Sequence, residues 1–135
     1  MALANWQDSY SVKIDQIDNQ HKKLFGYINE IHEAMKNRTT KDELGKIIDK
    51  LVNYTVDHFR TEEKYFDMYN YPDKANHKVE HEVFIDRVNT FKDDFTSGKL
   101  LVSLEIINFL RDWLVNHING TDKKYAPFLI EKGVK

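Results

Sequence analysis

Five of the six histidines in this chain, His21, His58, His77, His81 and His117, fall in phase with apolar residues at helical spacing; one carboxylate, Glu62, shares that phase, and a second, Asp122, follows the last histidine. His58 and Glu62 are four residues apart, as are His77 and His81, so each pair projects two ligand atoms from one helix face toward a common point. His117 and Asp122 are five apart, a spacing that a regular helix would splay. Asn119 and Gly120 between them are residues that can loosen or widen a backbone turn, and this irregularity is expected to be functional. The chemistry that such a set performs is metal binding.

A lone histidine on an apolar stripe is ordinarily a hydrogen-bonded core or rim residue. Seven buried polar side chains without partners are another matter, because at ~1–3 kcal/mol each they would cost ~7–20 kcal/mol, against a whole-domain stability of ~5–15 kcal/mol. Mutual hydrogen bonding among imidazoles and carboxylates meets part of that cost, and a metal meets the rest. Imidazole nitrogen with carboxylate oxygen suits iron, zinc, copper or manganese, and seven ligands exceed what one tetrahedral zinc takes, so two metals are implied. Carboxylates offer two oxygens and offset cationic charge, which makes Glu62 and Asp122 the natural bridges. His32 lies about 16 Å further along its helix than His21, too far to join them, and is expected at the surface or rim. Glu63 should face about 100° away from Glu62, either solvated or behind a ligand.

Four long helices are needed to position these residues. The first is expected from about Ile17 to Asn37, with Ile17, His21, Leu24, Ile28, Ile31 and Met35 at alternating steps of three and four. The second begins near Thr40 to Glu43, a Thr-x-x-Glu capping box, and ends near Asn70. Its stripe is Leu44, Ile47, Leu51, Thr55, His58, Glu62 and Tyr65, widened by Ile48, Val52, Phe59 and Phe66. Pro72 is suited to the first turn of the third helix, whose stripe His77, His81, Phe84, Val88, Phe91 and Phe95 runs to a stop at Ser97 and Gly98. The fourth helix, from Leu100, carries Leu104, Ile107, Leu110, Leu114 and His117, and a short tail or helix follows. The connections are short, so the all-α fold expected is an antiparallel up-down-up-down four-helix bundle. That topology brings all seven polar residues to one end.

At 135 residues the chain fits a single domain, and its 41% hydrophobic, 31% charged composition is that of an ordinary globular protein. A net charge of −2 gives no support for nucleic-acid or anionic-membrane binding. The absence of cysteine removes disulfides, thiolate nucleophiles and cysteine-ligated metals, so any metal is held by His, Asp and Glu. No leader-like or membrane-spanning stretch is visible, and a cytoplasmic monomer is the expectation.

From Trp6 to Tyr125 the chain resembles the hemerythrin family, of the bacterial type. The segments that carry the likeness are Asp18–His21 (DNQH), His58–Glu63 (HFRTEE), His77–His81 (HKVEH) and Trp113–Asp122 (WLVNHINGTD). The resemblance implies that His77, His81 and His117 ligate one non-haem iron and His21 and His58 the other, with Glu62, Asp122 and an oxo or hydroxo group bridging the Fe2+/Fe3+ pair. It implies reversible dioxygen binding at the open position of the two-histidine iron, for oxygen transport, storage or sensing, without catalysis. Leu24, Phe59, Trp113 and Ile118 are then candidates for a dry dioxygen pocket, although a residue of this kind taken alone is more often simple core, a role compatible with lining a pocket. The rival readings are a di-iron oxidase or peroxidase and an oxygen-sensing module that signals through an unidentified signalling or redox partner. Oxidases of the ferritin-like bundle class use four Glu and two Glu-x-x-His motifs, a pattern not found here, and the histidine-rich set favours binding.

Overall fold

The computed structural model describes residues 5–37, 41–97 and 104–135, and among these every regular element is helical. The elements are α1 (Asp15–Lys36), α2 (Lys41–Tyr69), α3 (Lys74–Thr96), α4 (Leu104–His117), a π-helical turn (Ile118–Asp122) and α5 (Lys123–Glu131). α1 packs on α2 and on α4, and α2 on α3. The ring of Phe84 in α3 stacks on Trp113 in α4 at 4.0 Å and closes the four-helix bundle. Among the described residues no helix is long and apolar enough to cross a membrane.

Buried residues at alternating steps of four and three run along α1 (Ile17, His21, Leu24, Ile28, Ile31), where Asp18, Phe25 and Ala34 widen the buried face, and along α3 (His77, His81, Phe84, Val88, Phe91, Phe95). This repeat keeps one seam facing the neighbours, as in coiled-coil-like bundles. On α2 the buried edge runs through Ile48 and Phe66, whereas Ile47 and Tyr65, expected on the central stripe, are half-buried. The helix is sandwiched between α1 and α3, which turns its widest apolar face rather than a narrow stripe inward. Met35 is likewise half-buried, with Ala34 taking the inward place.

Helix boundaries follow local chemistry. α2 ends where Asn70 adopts a left-handed conformation (φ 54°) and the Tyr71 N–H donates to the Phe66 carbonyl at 2.9 Å. This is a Schellman cap, and the rings of Phe66 and Tyr71, 5.1 Å apart, supply its apolar contact. Pro72 does not open α3 as its fixed φ suggested. It occupies the second position of a turn closed by the Lys74 N–H on the Tyr71 carbonyl at 3.2 Å, another place where a preset φ near −65° is favourable, and α3 starts two residues later. The expected cap at Thr40, the stop at Gly98 and the start of α4 at Leu100 lie outside the described residues.

Two apolar clusters flank the polar end of the bundle. The larger fills the shaft with Leu24, Ile28, Ile31, Leu51, Phe84, Leu110 and their neighbours. The smaller caps the end and draws on Val12 and Ile14 from the arm before α1, Ile17 from α1, Phe66 from α2, Tyr71 from the turn, Tyr125, Ala126 and Leu129 from α5, and Val134 beyond it. The arm is held by Asp18, which accepts hydrogen bonds from the Val12 N–H (2.8 Å) and the Ser11 hydroxyl (2.5 Å). The C-terminal tail is thus a helix that forms the lid of the bundle.

Leu129→Ala, which truncates a side chain with no exposed surface, should cost ~2–5 kcal/mol in urea unfolding, whereas Ile130→Ala at the exposed neighbour should stay within ~0.5 kcal/mol. Equal losses at the two positions would contradict a packed lid.

Candidate metal centre

α1 delivers His21, α2 His58 and Glu62, α3 His77 and His81, α4 His117, and the π turn Asp122; none is more than 4% exposed. The π turn solves the spacing problem of the last pair. Its wider ring returns Asp122 to the face of His117, so that His117 Nε2 and Asp122 Oδ1 lie 3.0 Å apart. The turn owes nothing to glycine's conformational freedom: its flanking residues are right-handed helical, Gly120 has no positive φ, and a Cβ there would meet open space.

The ligand atoms form two groups, each within 4.8 Å: Glu62, His77, His81, His117 and Asp122 in one, and His21, His58, Glu62 and Asp122 in the other. Only the carboxylates belong to both. Asp122 divides its oxygens, with Oδ1 3.0 Å from both His77 Nε2 and His117 Nε2, and Oδ2 3.1 Å from His21 Nε2. Glu62 turns Oε1 to both groups, 3.1 Å from His81 Nε2 and 3.4 Å from His58 Nε2, while its Oε2 accepts the buried Tyr125 hydroxyl.

Separations this short normally accompany hydrogen bonds. Yet all five Nε2 atoms, Glu62 Oε1 and both Asp122 oxygens lack an aligned partner. Close but misaligned donors and acceptors are what results when lone pairs aim at shared points between the residues, and a cation at each point would satisfy them. The donor set, imidazole and carboxylate only, fits iron among the metals that such ligands bind.

The charges in the metal-free cluster are set by burial and by one another. Burial pushes His58 down to about 3 against the pull of Glu62, which leaves its imidazole neutral as a metal ligand must be. Burial and Asp122 push Glu62 up, but His58 and His81 outweigh them and hold it at about 2. Asp122 likewise lies well below the usual range, because His117, His21 and His77 overcome its burial. His117 is raised despite burial by Asp122 beside it. Burial and the two carboxylates raise Tyr125 well above its ordinary value, so it remains a donor to Glu62.

The outer atoms of two imidazoles have partners. His58 Nδ1 lies 2.6 Å from Gln20 Oε1, and His81 Nδ1 3.0 Å from Glu63 Oε2. Aromatic faces cover the rings: Phe59 stacks on His81 at 3.7 Å and 4°, and Trp113 on His117 at 4.5 Å and 14°. Of the four apolar residues singled out from the sequence, Leu24 and Phe59 line a cavity of about 10 Å³ together with Ile28, Leu110 and Leu114. Its one polar neighbour, Thr55, spends its hydroxyl on the Leu51 carbonyl at 2.7 Å. Trp113 and Ile118 do not line it; Trp113 covers His117, and Ile118 is fully buried in the shaft cluster. His32 stands apart from both ligand groups, half-buried. Sequence reasoning gave no role to Gln20, although it lies in the DNQH segment, or to Tyr125. Gln20 adjoins a ligand and Tyr125 follows Asp122 by one helical turn, the only signals that mark them.

A histidine- and carboxylate-lined cation site at one end of an antiparallel four-helix bundle defines the class of protein. Residues 12–129 match the family model described as the hemerythrin HHE cation binding domain. The chain is 40% identical over 126 residues to a bacteriohemerythrin of Stenotrophomonas maltophilia, covering 93% of this chain and 81% of that one. It is 37% identical over 132 residues to a bacteriohemerythrin of Methylococcus capsulatus, covering 96% and 98%. A crystal structure of wild-type hemerythrin superposes with a TM-score of 0.88 at 35% identity, covering 93% and 97%. The chain belongs to the hemerythrin family.

A histidine whose pKa is lower in the folded than in the unfolded chain stabilises the fold above the unfolded value, and that contribution is lost as pH falls toward the folded one. For His58 the window runs from 6.5 to about 3. Glu62 acts in the same direction below 4.5, and the raised His117 opposes them. The melting temperature of the metal-free chain should therefore fall between pH 6.5 and pH 3, and His58→Gln should flatten the slope. A His58→Gln profile parallel to the wild type would assign the acid sensitivity elsewhere.

Proposed function

We propose that this chain is a single hemerythrin domain that binds dioxygen reversibly at two non-haem iron ions. His77, His81 and His117 would hold one iron and His21 and His58 the other, with Glu62, Asp122 and an oxo or hydroxo group between them. The observation that carries this reading is the pair of overlapping ligand groups that share two carboxylates and leave every inward nitrogen without an aligned partner. Membership of the family supports iron as the cation and dioxygen as the ligand.

The asymmetry of the groups is the functional feature. One offers three imidazoles and the other two, so the second is a ligand short and can leave a position for a guest. Bound iron supplies the two electrons and the open coordination position that dioxygen capture requires. The protein contributes orientation and dryness. Phe59 and Trp113 lie flat on the His81 and His117 rings, the shaft cluster closes one side and the lid cluster the other. The small cavity beside Leu24 and Phe59 is lined by apolar atoms and offers water no free polar partner. This packing keeps water and anions away from the ligand atoms. Tyr125 keeps its proton and pins one oxygen of Glu62.

The iron-loaded, anaerobically reduced chain should develop a visible absorption band on exposure to oxygen and lose it on degassing, over repeated cycles. Irreversible oxidation with turnover of an added reductant would favour an oxidase instead. Separately, His58→Ala or Glu62→Ala should lower iron content well below two per chain. Undiminished iron in both variants would remove these residues from the site.

A further inference from the structure

The two ligand groups differ in what stands behind them as well as in ligand number. Behind His81, in the three-histidine group, is a carboxylate: Glu63 Oε2 lies 3.0 Å from Nδ1. A second carboxylate faces the same group, since Glu80 Oε1 is 4.0 Å from His117 Nδ1 and is held there by the Thr121 hydroxyl at 2.9 Å. Behind His58, in the two-histidine group, is an amide: Gln20 Oε1 lies 2.6 Å from Nδ1.

The orientation of that amide follows from its other end. Gln20 Nε2 donates to Thr61 Oγ1 at 3.3 Å, and the Thr61 hydroxyl donates its own proton to the Asp57 carbonyl at 3.0 Å. Reversing the amide would set two acceptors against each other at Thr61, so the carbonyl oxygen must face His58. Each contact also joins two elements: Gln20 ties α1 to α2, Glu63 ties α2 to α3, and Thr121 ties the π turn to α3.

Both kinds of acceptor hold the imidazole in the tautomer that frees Nε2 for a metal, but they act differently on its electrons. A carboxylate accepting the Nδ1 proton draws the ring toward imidazolate and makes Nε2 the stronger donor, whereas a neutral amide does so far less. We infer that Glu63, acting through His81, makes the three-histidine position the more electron-rich of the two and stabilises ferric charge there, while Gln20 keeps the two-histidine position comparatively electron-poor. Glu80 adds to this weakly, because its side chain is 46% exposed and 4.0 Å away. Glu63 is less exposed, 31%, and makes the direct hydrogen bond. Gln20 and Glu63 are therefore positioning residues that tune the pair in opposite senses. The inference rests on the two-iron reading above.

The test is spectroelectrochemistry on the iron-loaded 135-residue chain, in which the electrode takes one electron as a ferrous ion becomes ferric. Glu63→Gln keeps an acceptor of the same shape and removes the charge. It should raise the midpoint potential by about 60 mV, a tenfold change in a one-electron equilibrium, with two irons still bound. Gln20→Glu adds a charge behind the other position and should lower the potential by a similar amount. Should Glu63→Gln lose iron, Gln20→Glu alone decides. A potential unmoved, or moved the opposite way, in an iron-replete variant overturns the role of these residues while leaving the two-iron site intact. A wild-type chain that takes up fewer than two irons overturns the site and this inference together.

Discussion

Burying five imidazoles and two carboxylates against one another is the constraint from which the rest of this structure follows. Their inward atoms lie 3.0–4.0 Å apart and yet make no aligned hydrogen bonds. Without a cation that arrangement costs free energy comparable to the stability of a whole domain. Attraction between the ionised carboxylates and His117, whose pKa they raise, offsets part of it. The remaining cost must be met by apolar packing elsewhere in the chain. That accounts for the two clusters on either side of the site, one formed by the shaft of the bundle and one by a lid assembled from both ends of the chain and the α2–α3 turn.

The lid also reaches the ligands directly. Tyr125 is buried in it and turns its hydroxyl to Glu62, and Phe66 lies 4.7 Å from the His77 ring. Phe66 is itself set by the cap at Asn70 that ends α2, so a left-handed residue on the surface helps to orient a ligand inside. Packing that excludes water and packing that aims side chains are here the same contacts.

Much of this was legible in the sequence, and the reason is periodicity. Helical phase alone placed His21, His58, Glu62, His77, His81 and His117 among inward residues, and antiparallel connectivity brought them to one end. The five-residue interval to Asp122 pointed to a widened turn, and the π turn supplies it; the glycine thought to permit it is not required by the backbone. Phase was less informative about the width of a face. On α2 it favoured Ile47 and Tyr65, but contact with two neighbours moves the buried edge to Ile48 and Phe66. It was silent on Gln20 and Tyr125, whose roles depend on reach across to another helix, and it left Glu63 open between solvent and a ligand until His81 was seen 3.0 Å away. The lid was also illegible, because its members are scattered from Val12 to Val134 and no single segment shows the pattern.

A ligating histidine has two freedoms that matter, the rotation of its ring and the choice of nitrogen that carries the proton, and different neighbours remove them. Rotation is fixed by stacking, as Phe59 does for His81 and Trp113 for His117. The proton is fixed by the acceptor at Nδ1, as Gln20 does for His58 and Glu63 for His81. His81 alone has both an aligned ring partner and a hydrogen-bonded carboxylate, and it is also the imidazole closest to Glu62 Oε1, at 3.1 Å. The point where the shared carboxylate meets the three-histidine group is therefore the most rigidly defined in the centre. The other imidazoles are held by fewer such contacts: His58 is bonded to an amide at the half-buried Gln20, and Nδ1 of His21, His77 and His117 has no hydrogen-bond partner among the described residues. Definition is thus concentrated where the shared carboxylate meets His81, while the stack on His117 and the amide on His58 each remove one freedom of a neighbouring ring.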